Sequence, residues 1–234
     1  MLQRDKKLDT LLQAGRQRLY PRITNPNWLV LRRRRMIFRA WLQRLSLQGP
    51  RVLDVGGRIQ PYRELIAVPC EYWAIDLWPT LLVSAVANAA GLPFADNSFD
   101  LVLCTQMIEY APAVQDVVAE IHRVLRPRGV LFLSAPSMAP RDSEQDRWRF
   151  FPPALRQLLS GFSETEIVPE CGSAAGMLRT VAVFFCMSAR YEGLRVVLSF
   201  LLVPFLNVLG AVLDCLSGSK DGSFTVNYSV LAKK

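Results

Sequence analysis

The chain has 234 residues, enough for one α/β domain with extensions, and 51% of them are hydrophobic. Its net charge of +8 is uneven, because residues 1–50 carry 12 Lys/Arg and 2 Asp/Glu, whereas residues 51–234 carry 16 and 18. One histidine and five cysteines without CxxC spacing argue against a metal site, and we predict none. The cysteines and the charged, signal-free N-terminus predict a cytoplasmic protein with reduced, buried thiols.

Residues 1–49 predict a basic helical arm, in which apolar side chains recur at positions 30, 37, 41 and 45. Strands and helices then alternate, as in a sheet covered by helices. We predict strands at 51–55, 71–75, 80–87, 99–104, 130–134, 164–168 and 224–232, and helices at 62–67, 114–125 and 152–160.

Two apolar stretches, residues 174–189 and 196–213, separate the last two predicted strands. The second is about long enough to span a bilayer, but Pro204, Asn207 and Gly210 interrupt it. A single crossing would also separate the final strand from its sheet, so a helical hairpin or two interfacial helices are favoured. We therefore divide the chain into an arm (1–49), a core domain (50–173 and 221–234) and a membrane-associated helical insertion (174–220).

The most informative motif is the apolar run from Arg51 to Val55, followed by Gly56-Gly57 and, about twenty residues later, by a second apolar run ending in Asp76. A strand, a glycine turn and a strand-end carboxylate form the layout of a nucleoside-binding α/β site. A dinucleotide-binding dehydrogenase is the weaker alternative, since the complete GxGxxG pattern is missing.

Three further runs complete a family resemblance: Leu92-Pro-Phe-Ala-Asp-Asn-Ser-Phe-Asp100, its continuation to Cys104, and Glu120-Ile-His-Arg-Val-Leu-Arg-Pro-Arg-Gly129. With the glycine turn and Asp76, they resemble class I S-adenosylmethionine-dependent methyltransferases of the small-molecule type. The resemblance covers residues 50–170 and the last strand. It implies a Rossmann-like seven-stranded sheet with helices on both faces, here with an apolar helical insertion between strands six and seven, and S-adenosylmethionine as cofactor.

The resemblance also implies roles for individual residues. Asp54, Gly56 and Gly57 would receive the methionine end of the cofactor, aided by the amides of the turn and the N-terminus of the following helix. Asp76 would accept hydrogen bonds from the ribose hydroxyls. The remaining cofactor positions are Asn88 and Ala89 beside the adenine, and Thr105 and Gln106 near the sulfonium. The sequence departs from the family at Arg58, where a glycine is usual, and at Asn88, where an aspartate is usual.

The segment from Ser134 to Leu159 follows strand five and should overhang the methyl-donor face. It is similar to segments of methyltransferases from cell-surface glycan pathways. Candidate acceptor-binding residues are Arg147, Trp148 and Tyr110, although Trp148, Phe150 and Phe151 could instead be core residues. Glu109 and Asp142 are the candidate bases that would deprotonate an acceptor hydroxyl.

The arginine-rich arm has three possible explanations: a solvated helix face, attachment to an anionic membrane surface, or nucleic-acid binding. The membrane is favoured because the insertion supplies a second signal, and nucleic acid is disfavoured because no nucleic-acid fold motif is present. We expect an enzyme at the inner face of a membrane that methylates a small-molecule or glycan acceptor, at a sugar hydroxyl. The alternatives are a lipid or quinone-like acceptor, or a catalytically degenerate scaffold.

Overall fold

The computed structural model describes residues 2–217 and 222–234, with side chains from residue 6 onward. The predicted boundary between insertion and last strand, at residues 220–221, lies outside these ranges. The described residues contain one seven-stranded sheet in the order β3-β2-β1-β4-β5-β7-β6, with β7 antiparallel to both neighbours. Its strands are β1 (Arg51–Val55), β2 (Glu71–Asp76), β3 (Ala85–Val86), β4 (Phe99–Thr105), β5 (Leu125–Pro136), β6 (Glu164–Pro169) and β7 (Asn227–Lys233).

All seven predicted strands exist, and the sheet confirms the expected Rossmann-like fold class. The third strand, predicted within residues 80–87, is found at Ala85–Val86 only. Residues 80–83 form a turn instead, in which the Val83 amide donates to the Thr80 carbonyl at 3.3 Å. The third strand therefore pairs with β2 through two residues, at the edge of the sheet.

The helices of the described chain are α1 (Leu2–Leu19), α2 (Trp28–Leu45), α3 (Val114–Val124), α4 (Pro152–Leu158), α5 (Ser173–Ser188), α6 (Glu192–Val197) and α7 (Val203–Ser217). A π-helical turn, Leu198–Leu202, joins α6 to α7. The helix predicted at 62–67 is wrong in extent, because only a 3-10 turn at Arg63–Leu65 forms. Ile66 is extended and Pro69 follows, so the helix cannot continue.

Helices cover both faces of the sheet, as expected. On one face, α3 and α4 bury Val117, Ile121 and Leu155 against the strands. On the other face, α2 packs Phe38 and Trp41 against Phe132 of β5, with ring centroids 5.2 Å apart in each pair. The second layer therefore comes from the N-terminal segment rather than from a helix between β1 and β2.

Two polar contacts fix α2 to β6 and the residue that follows it. Arg34 on α2 is buried and makes two parallel hydrogen bonds to Glu170, at 2.8 and 2.7 Å. Trp41 donates its indole N–H to Glu166 at 3.0 Å. Because a buried charge is costly unless it is paired, the Arg34–Glu170 pair holds α2 in one position on the sheet.

The helices α5 to α7 form an antiparallel hairpin that leaves the sheet after β6 and returns at β7. Asp214, near the end of α7, accepts the backbone amides of Gly172, Ala174 and Ala175 at the start of α5. The base of the hairpin is thus closed beside the sheet. Its middle contacts the turn between α1 and α2, where Asn207 donates to the carbonyl of Ile23 at 2.8 Å.

The outer side of this hairpin is apolar and exposed. The stretch Glu192–Ser217 has 26 residues and is long and apolar enough to cross a membrane, by length and composition alone. Only 22% of its most apolar window is buried, unlike a core helix of a compact domain. Exposed apolar side chains on the hairpin include Phe184, Phe185, Tyr191, Phe200, Leu201, Phe205 and Leu216.

The five cysteines are free, but the expectation of buried thiols holds for Cys104 alone. Cys215 is exposed because it lies on the outer side of α7, and the other three are partly exposed.

Candidate functional site

A cavity of about 1360 Å³ opens where β1, β2 and β4 end. The carboxyl ends of parallel strands are where α/β folds usually bind ligands. Nine of the thirteen predicted site residues line it: Gly56, Asp76, Asn88, Ala89, Thr105, Gln106, Glu109, Tyr110 and Asp142. The other four, Asp54, Gly57, Arg147 and Trp148, do not.

The glycine turn after β1 has the conformation that its sequence predicts. Gly56 has a φ of +80°, and a Cβ atom there would lie 2.8 Å from Met107. The amides of Gly56 and Gly57 both donate to the carbonyl of Ile75, at 2.9 and 3.0 Å. Two of the turn amides expected to receive a carboxylate therefore already have an acceptor.

No helix begins directly after this turn in the described chain, so the predicted N-terminal anion site is absent there. Residues 56–62 are irregular, and α1 packs against them. A Cβ atom on Gly15 would lie 2.4 Å from the carbonyl oxygen of Ile59. Arg58 is exposed and lines the cavity beside the turn.

Asp76 ends β2 and lines the cavity. Its Oδ1 accepts the backbone amide of Trp78 at 2.9 Å, which fixes the side chain. Asn88 makes the same kind of local turn, accepting the amide of Ala90 at 3.0 Å. Carboxylate and amide oxygens are thus held along one side of the cavity.

Asp54 is buried beneath the glycine turn rather than in the cavity wall. It accepts a hydrogen bond from the Tyr72 hydroxyl at 2.7 Å. Burial raises the pKa of Asp54 to about 6, against the lowering effect of that hydrogen bond. A Cβ atom on Gly57 would lie 2.7 Å from Cγ of Asp54, so the aspartate and the glycine fit each other.

Glu109 is a buried carboxyl in the cavity wall with a raised pKa. Its side chain is 4% exposed, and its Oε2 has no hydrogen-bond partner among the described residues. Burial raises the pKa of Glu109 to about 7, an effect that the charges of Arg34 and Arg18 oppose. A carboxyl that titrates near neutral pH and lines a cavity can accept a proton from a bound hydroxyl.

Tyr110 and Asp142 lie at the mouth of the cavity, where the Tyr110 hydroxyl donates to Asp142 at 2.6 Å. Burial and this carboxylate raise the pKa of Tyr110 above its usual range. Asp142 is exposed, whereas Asp146 is buried and forms an ion pair with Arg149.

The aromatic residues of the following segment separate into two groups. Phe150 is buried, but Trp148 and Phe151 are 42% and 46% exposed, so the core interpretation is wrong for those two. Trp148 donates its indole N–H to the carbonyl of Ala111 at 2.8 Å. Arg147 is exposed, and its backbone amide donates to the carbonyl of Glu109 at 2.9 Å.

Sequence reasoning missed two walls of the cavity. The N-terminal helices supply Gln17, Arg18, Val30, Leu31 and Arg34, and helix α5 supplies Arg179, Val183 and Met187. A signal existed for Arg34, because it lies between Val30 and Ile37 on the apolar face of α2, where an arginine needs a buried partner. The sequence carries no comparable signal for Arg179.

A buried polar network lies behind the cavity. Glu170 accepts hydrogen bonds from Ser134 and Ser229, each at 2.7 Å, in addition to those from Arg34. Gln106 donates its side-chain amide to the Ser134 hydroxyl at 3.3 Å. The network therefore connects α2 to the end of β4, where the predicted cofactor residues lie.

Residues 53–133 match the family model described as a methyltransferase domain. These 81 residues, about a third of the chain, are similar to a methyltransferase domain. This match begins in β1 and ends in β5, so it includes the glycine turn, Asp76 and the strand ends that surround the cavity.

The curated relatives that match part of the chain are methyltransferases named for an acyl-carrier protein or for quinone biosynthesis. The chain is 33% identical over 91 residues to malonyl-[acyl-carrier protein] O-methyltransferase 1 of Coxiella burnetii, covering 36% of the chain and 32% of the relative. It is 33% identical over 115 residues to the ubiquinone biosynthesis O-methyltransferase of Xanthomonas oryzae pv. oryzae, covering 42% of the chain and 47% of the relative. It is 31% identical over 130 residues to a ubiquinone/menaquinone biosynthesis C-methyltransferase of Dinoroseobacter shibae, covering 47% and 51%. The chain thus spans about half or less of each relative.

Solved structures show that the fold extends beyond the matched segment. The chain superposes on a candidate sarcosine dimethylglycine methyltransferase of Galdieria sulphuraria with a TM-score of 0.54 at 14% identity, covering 87% and 88% of the two chains. It also superposes on the [4+2]-cyclase SpnF with a TM-score of 0.50 at 17% identity, covering 85% and 80%. The chain has the Rossmann-like methyltransferase fold, and the cyclase shows that this fold also supports other chemistry.

Proposed function

We propose that this chain is an S-adenosylmethionine-dependent methyltransferase that methylates a hydroxyl group of a small-molecule acceptor at a membrane surface. The observation that carries the proposal is the single cavity that joins Asp76, the strand-end carboxylate, to Glu109, the buried carboxyl with a pKa of about 7. The carboxylate of Asp76 can accept hydrogen bonds from the two ribose hydroxyls, and Glu109 can accept the proton of an acceptor hydroxyl.

The residues of the cavity fit the cofactor. Asp76 would hold the ribose hydroxyls, Asn88 and Ala89 would lie beside the adenine, and Thr105 and Gln106 would lie near the sulfonium. Because the amides of Gly56 and Gly57 are engaged, we assign the methionine carboxylate to the guanidinium of Arg58, which lines the cavity beside the turn. Asp54 supports the turn from below through its contact with Gly57.

The bound cofactor supplies an electrophilic methyl group whose thioether leaving group needs no acid. The protein must therefore position the acceptor, exclude water and remove one proton. Glu109 would accept that proton, since its carboxylate form is available near pH 7. Asp142 is the weaker candidate base, because it is exposed and already accepts the Tyr110 hydroxyl. Arg147 and Trp148, outside the cavity, remain candidates only for an acceptor that extends past its mouth.

The acceptor is best assigned to the lipid or quinone-like class. The named relatives include ubiquinone-pathway O- and C-methyltransferases, and the cavity wall contributed by α5 is apolar at Val183 and Met187. The sugar hydroxyl expected from the sequence finds no support among the relatives, whose names concern quinones and an acyl-carrier protein.

The membrane part of the proposal rests on two adjoining surfaces. The apolar outer side of the α5–α7 hairpin is exposed, and the basic N-terminal segment touches its middle through Asn27 and Arg179, at 2.7 and 2.9 Å. Apolar insertion and attraction to anionic lipid reinforce each other. Both ends of the hairpin join the same sheet, which favours lying in the interface over crossing.

Calorimetric titration with S-adenosylhomocysteine, which unlike the cofactor is stable, tests the enzymatic part. The wild type should bind it saturably, and Asp76→Ala should abolish binding, whereas the control Asp116→Ala on α3, outside the cavity, should not. A folded wild type that fails to bind would refute the proposal in favour of a scaffold.

Flotation with vesicles tests the membrane part. We expect the protein to float with phosphatidylglycerol vesicles more than with phosphatidylcholine vesicles, and Phe200→Ser with Leu201→Ser to reduce flotation. Val86→Ser replaces another well-exposed apolar residue, on the edge strand, and should have no effect. Full recovery of the wild type in the vesicle-free fraction at low salt would refute attachment.

A further inference from the structure

Helix α5 separates the cavity from the exterior, and its three faces have different neighbours. Arg179, Val183 and Met187 recur every four residues and line the cavity. Leu178, Ala182 and Cys186 pack in the small core with α7, and the outward side chains are Met177, Val181, Phe184 and Phe185. One helix therefore borders both the cavity and the exposed apolar surface.

The cavity face of α5 changes from charged to apolar along its length. Arg179 lies near the middle of the helix, whereas Met187 lies at its C-terminal end and is 65% exposed. Met187 therefore lies where the α5 side of the cavity meets the outside, and its side chain is apolar. A ligand that lies along this wall would contact the guanidinium of Arg179 inside the cavity and the apolar side chains of Val183 and Met187 nearer the outside.

The guanidinium of Arg179 has no acidic partner within the described residues. Its Nε and Nη2 donate to the neutral side-chain oxygen of Asn27, at 2.9 and 2.7 Å. Its Nη1 is shielded from solvent and has no acceptor within the described part of the chain. Burial lowers the pKa of Arg179 to about 10, so the group stays charged at neutral pH.

Two other arginines of the cavity wall, Arg34 and Arg149, differ in this respect. The remaining half-buried one, Arg18, has no buried nitrogen that lacks a partner. Arg34 is neutralised by Glu170, and Arg149 is neutralised by Asp146. A desolvated charge without a counter-charge is costly, and a charge-assisted hydrogen bond to an anion would offset that cost. Arg179 is therefore the position in the wall where an anionic ligand group gains most.

We propose that the acceptor is an amphiphile whose anionic group, a phosphate or carboxylate, binds Arg179 and whose apolar tail leaves the cavity across Val183 and Met187. The proposal rests on the proposed function, since the hydroxyl to be methylated must reach Glu109 in the same cavity. It adds a substrate class and places the tail next to the hairpin surface that we assign to the membrane. A lipid substrate could then enter from the bilayer without leaving it completely.

The test compares three probes by calorimetry with the full-length protein in maltoside micelles, using protein-free micelles as the blank. Inorganic phosphate carries the anion alone, octyl phosphate carries anion and tail, and octyl glucoside carries the tail alone. We expect octyl phosphate to bind at least about tenfold more tightly than either of the others, because each buried methylene adds to affinity. Equal affinity for octyl phosphate and inorganic phosphate would refute the amphiphile and indicate a water-soluble anion.

Variants locate the site. Arg179→Gln should weaken octyl phosphate binding by about tenfold or more, as expected for a lost hydrogen bond to a charged group. Arg190→Gln, an exposed arginine just beyond α5, is the matched control and should not change the affinity. Met187→Gln should reduce the difference in binding affinity between octyl phosphate and inorganic phosphate.

S-adenosylhomocysteine binding separates the two proposals. If Arg179→Gln still binds it and binds octyl phosphate as tightly as the wild type, the assignment of Arg179 is wrong. If wild-type protein binds octyl phosphate but not S-adenosylhomocysteine, the methyltransferase proposal fails while the anion site stands. Should Arg179→Gln not fold, Val183→Asp places a repelling carboxylate one turn away, and undiminished octyl phosphate binding by that variant would refute the site.

Discussion

The Arg34–Glu170 pair offers the sharpest prediction about stability. Glu170 is 0% exposed and Arg34 is 1% exposed, so neither charge has access to water. In Arg34→Met the glutamate would retain the hydroxyls of Ser134 and Ser229 but lose its counter-charge and two hydrogen bonds. Removing one partner of a buried pair typically costs about 3–5 kcal/mol. We expect the free energy of unfolding to fall by that amount.

The chain supplies its own control in the same arginine run. Arg33 is exposed, so Arg33→Met should change the free energy of unfolding by no more than about 0.5 kcal/mol. Urea unfolding followed by tryptophan fluorescence, with identical detergent in all samples, gives both values. The double variant Arg34→Met with Glu170→Leu should recover part of the loss, since an apolar pair leaves no buried charge.

Equal stability of Arg34→Met and Arg33→Met would refute the reasoning. It would mean that α2 is held by its aromatic contacts alone, or that Glu170 becomes protonated at little cost. A double variant less stable than Arg34→Met would also contradict it.

Three further predictions concern pH and the hairpin. If Glu109 is the base, kcat/KM should rise with pH and level off above about pH 7. Glu109→Gln should remove this rise with pH and lower kcat by about 100-fold or more. An unchanged pH profile in the variant would mean that another residue is the base. Because the pKa of Asp54 is raised to about 6 in the folded state, its contribution to stability is present below its unfolded pKa and is lost as pH rises to about 6. This loss amounts to about 3 kcal/mol. Asp54→Asn keeps an acceptor for Tyr72, and it should make the free energy of unfolding, measured by urea titration, fall less between pH 4 and 7. A fall as steep as that of the wild type would show that another group titrates. Asp214→Ala removes the acceptor of three amides at the base of the hairpin and should lower the unfolding free energy by about 1–2 kcal/mol, whereas Asp116→Ala should not; proteolysis at residues 172–175 that is no faster than in the wild type would contradict this.

The sheet could be predicted from the sequence because each buried strand is a short apolar run that can be recognised without knowing its neighbours. The apolar runs at 51–55 and 99–104 became β1 and β4 with bounds that differ by at most one residue. Where pairing depends on a neighbour, the prediction was less accurate: β5 extends back to Leu125, because Leu125 pairs with Phe99 before a register shift. Periodicity within one segment carries no information about such a partner.

The part of the cavity predicted to hold the cofactor could be located for the same reason, since the glycine turn, Asp76, Asn88 and Gln106 each lie at a strand end or within two residues of one. The walls supplied by α1, α2 and α5 were not predictable, because these helices are distant in sequence from the strand ends. The missing helix after β1 shows the limit most clearly. The family pattern implied it, but α1 packs against the loop where it would begin.

The position of the hairpin within the topology has a consequence for how such a protein can diversify. Pro169 and Tyr228 are register partners on adjacent antiparallel strands, so the chain leaves and re-enters the sheet at neighbouring points. A short turn could in principle join the same two strands. Another segment could therefore replace the hairpin between β6 and β7 without altering the pairing of these strands or the residues that surround Asp76. If the proposed acceptor site on α5 is correct, exchanging the residues between β6 and β7 would change which acceptor is admitted, while the part of the cavity around Asp76 stays the same.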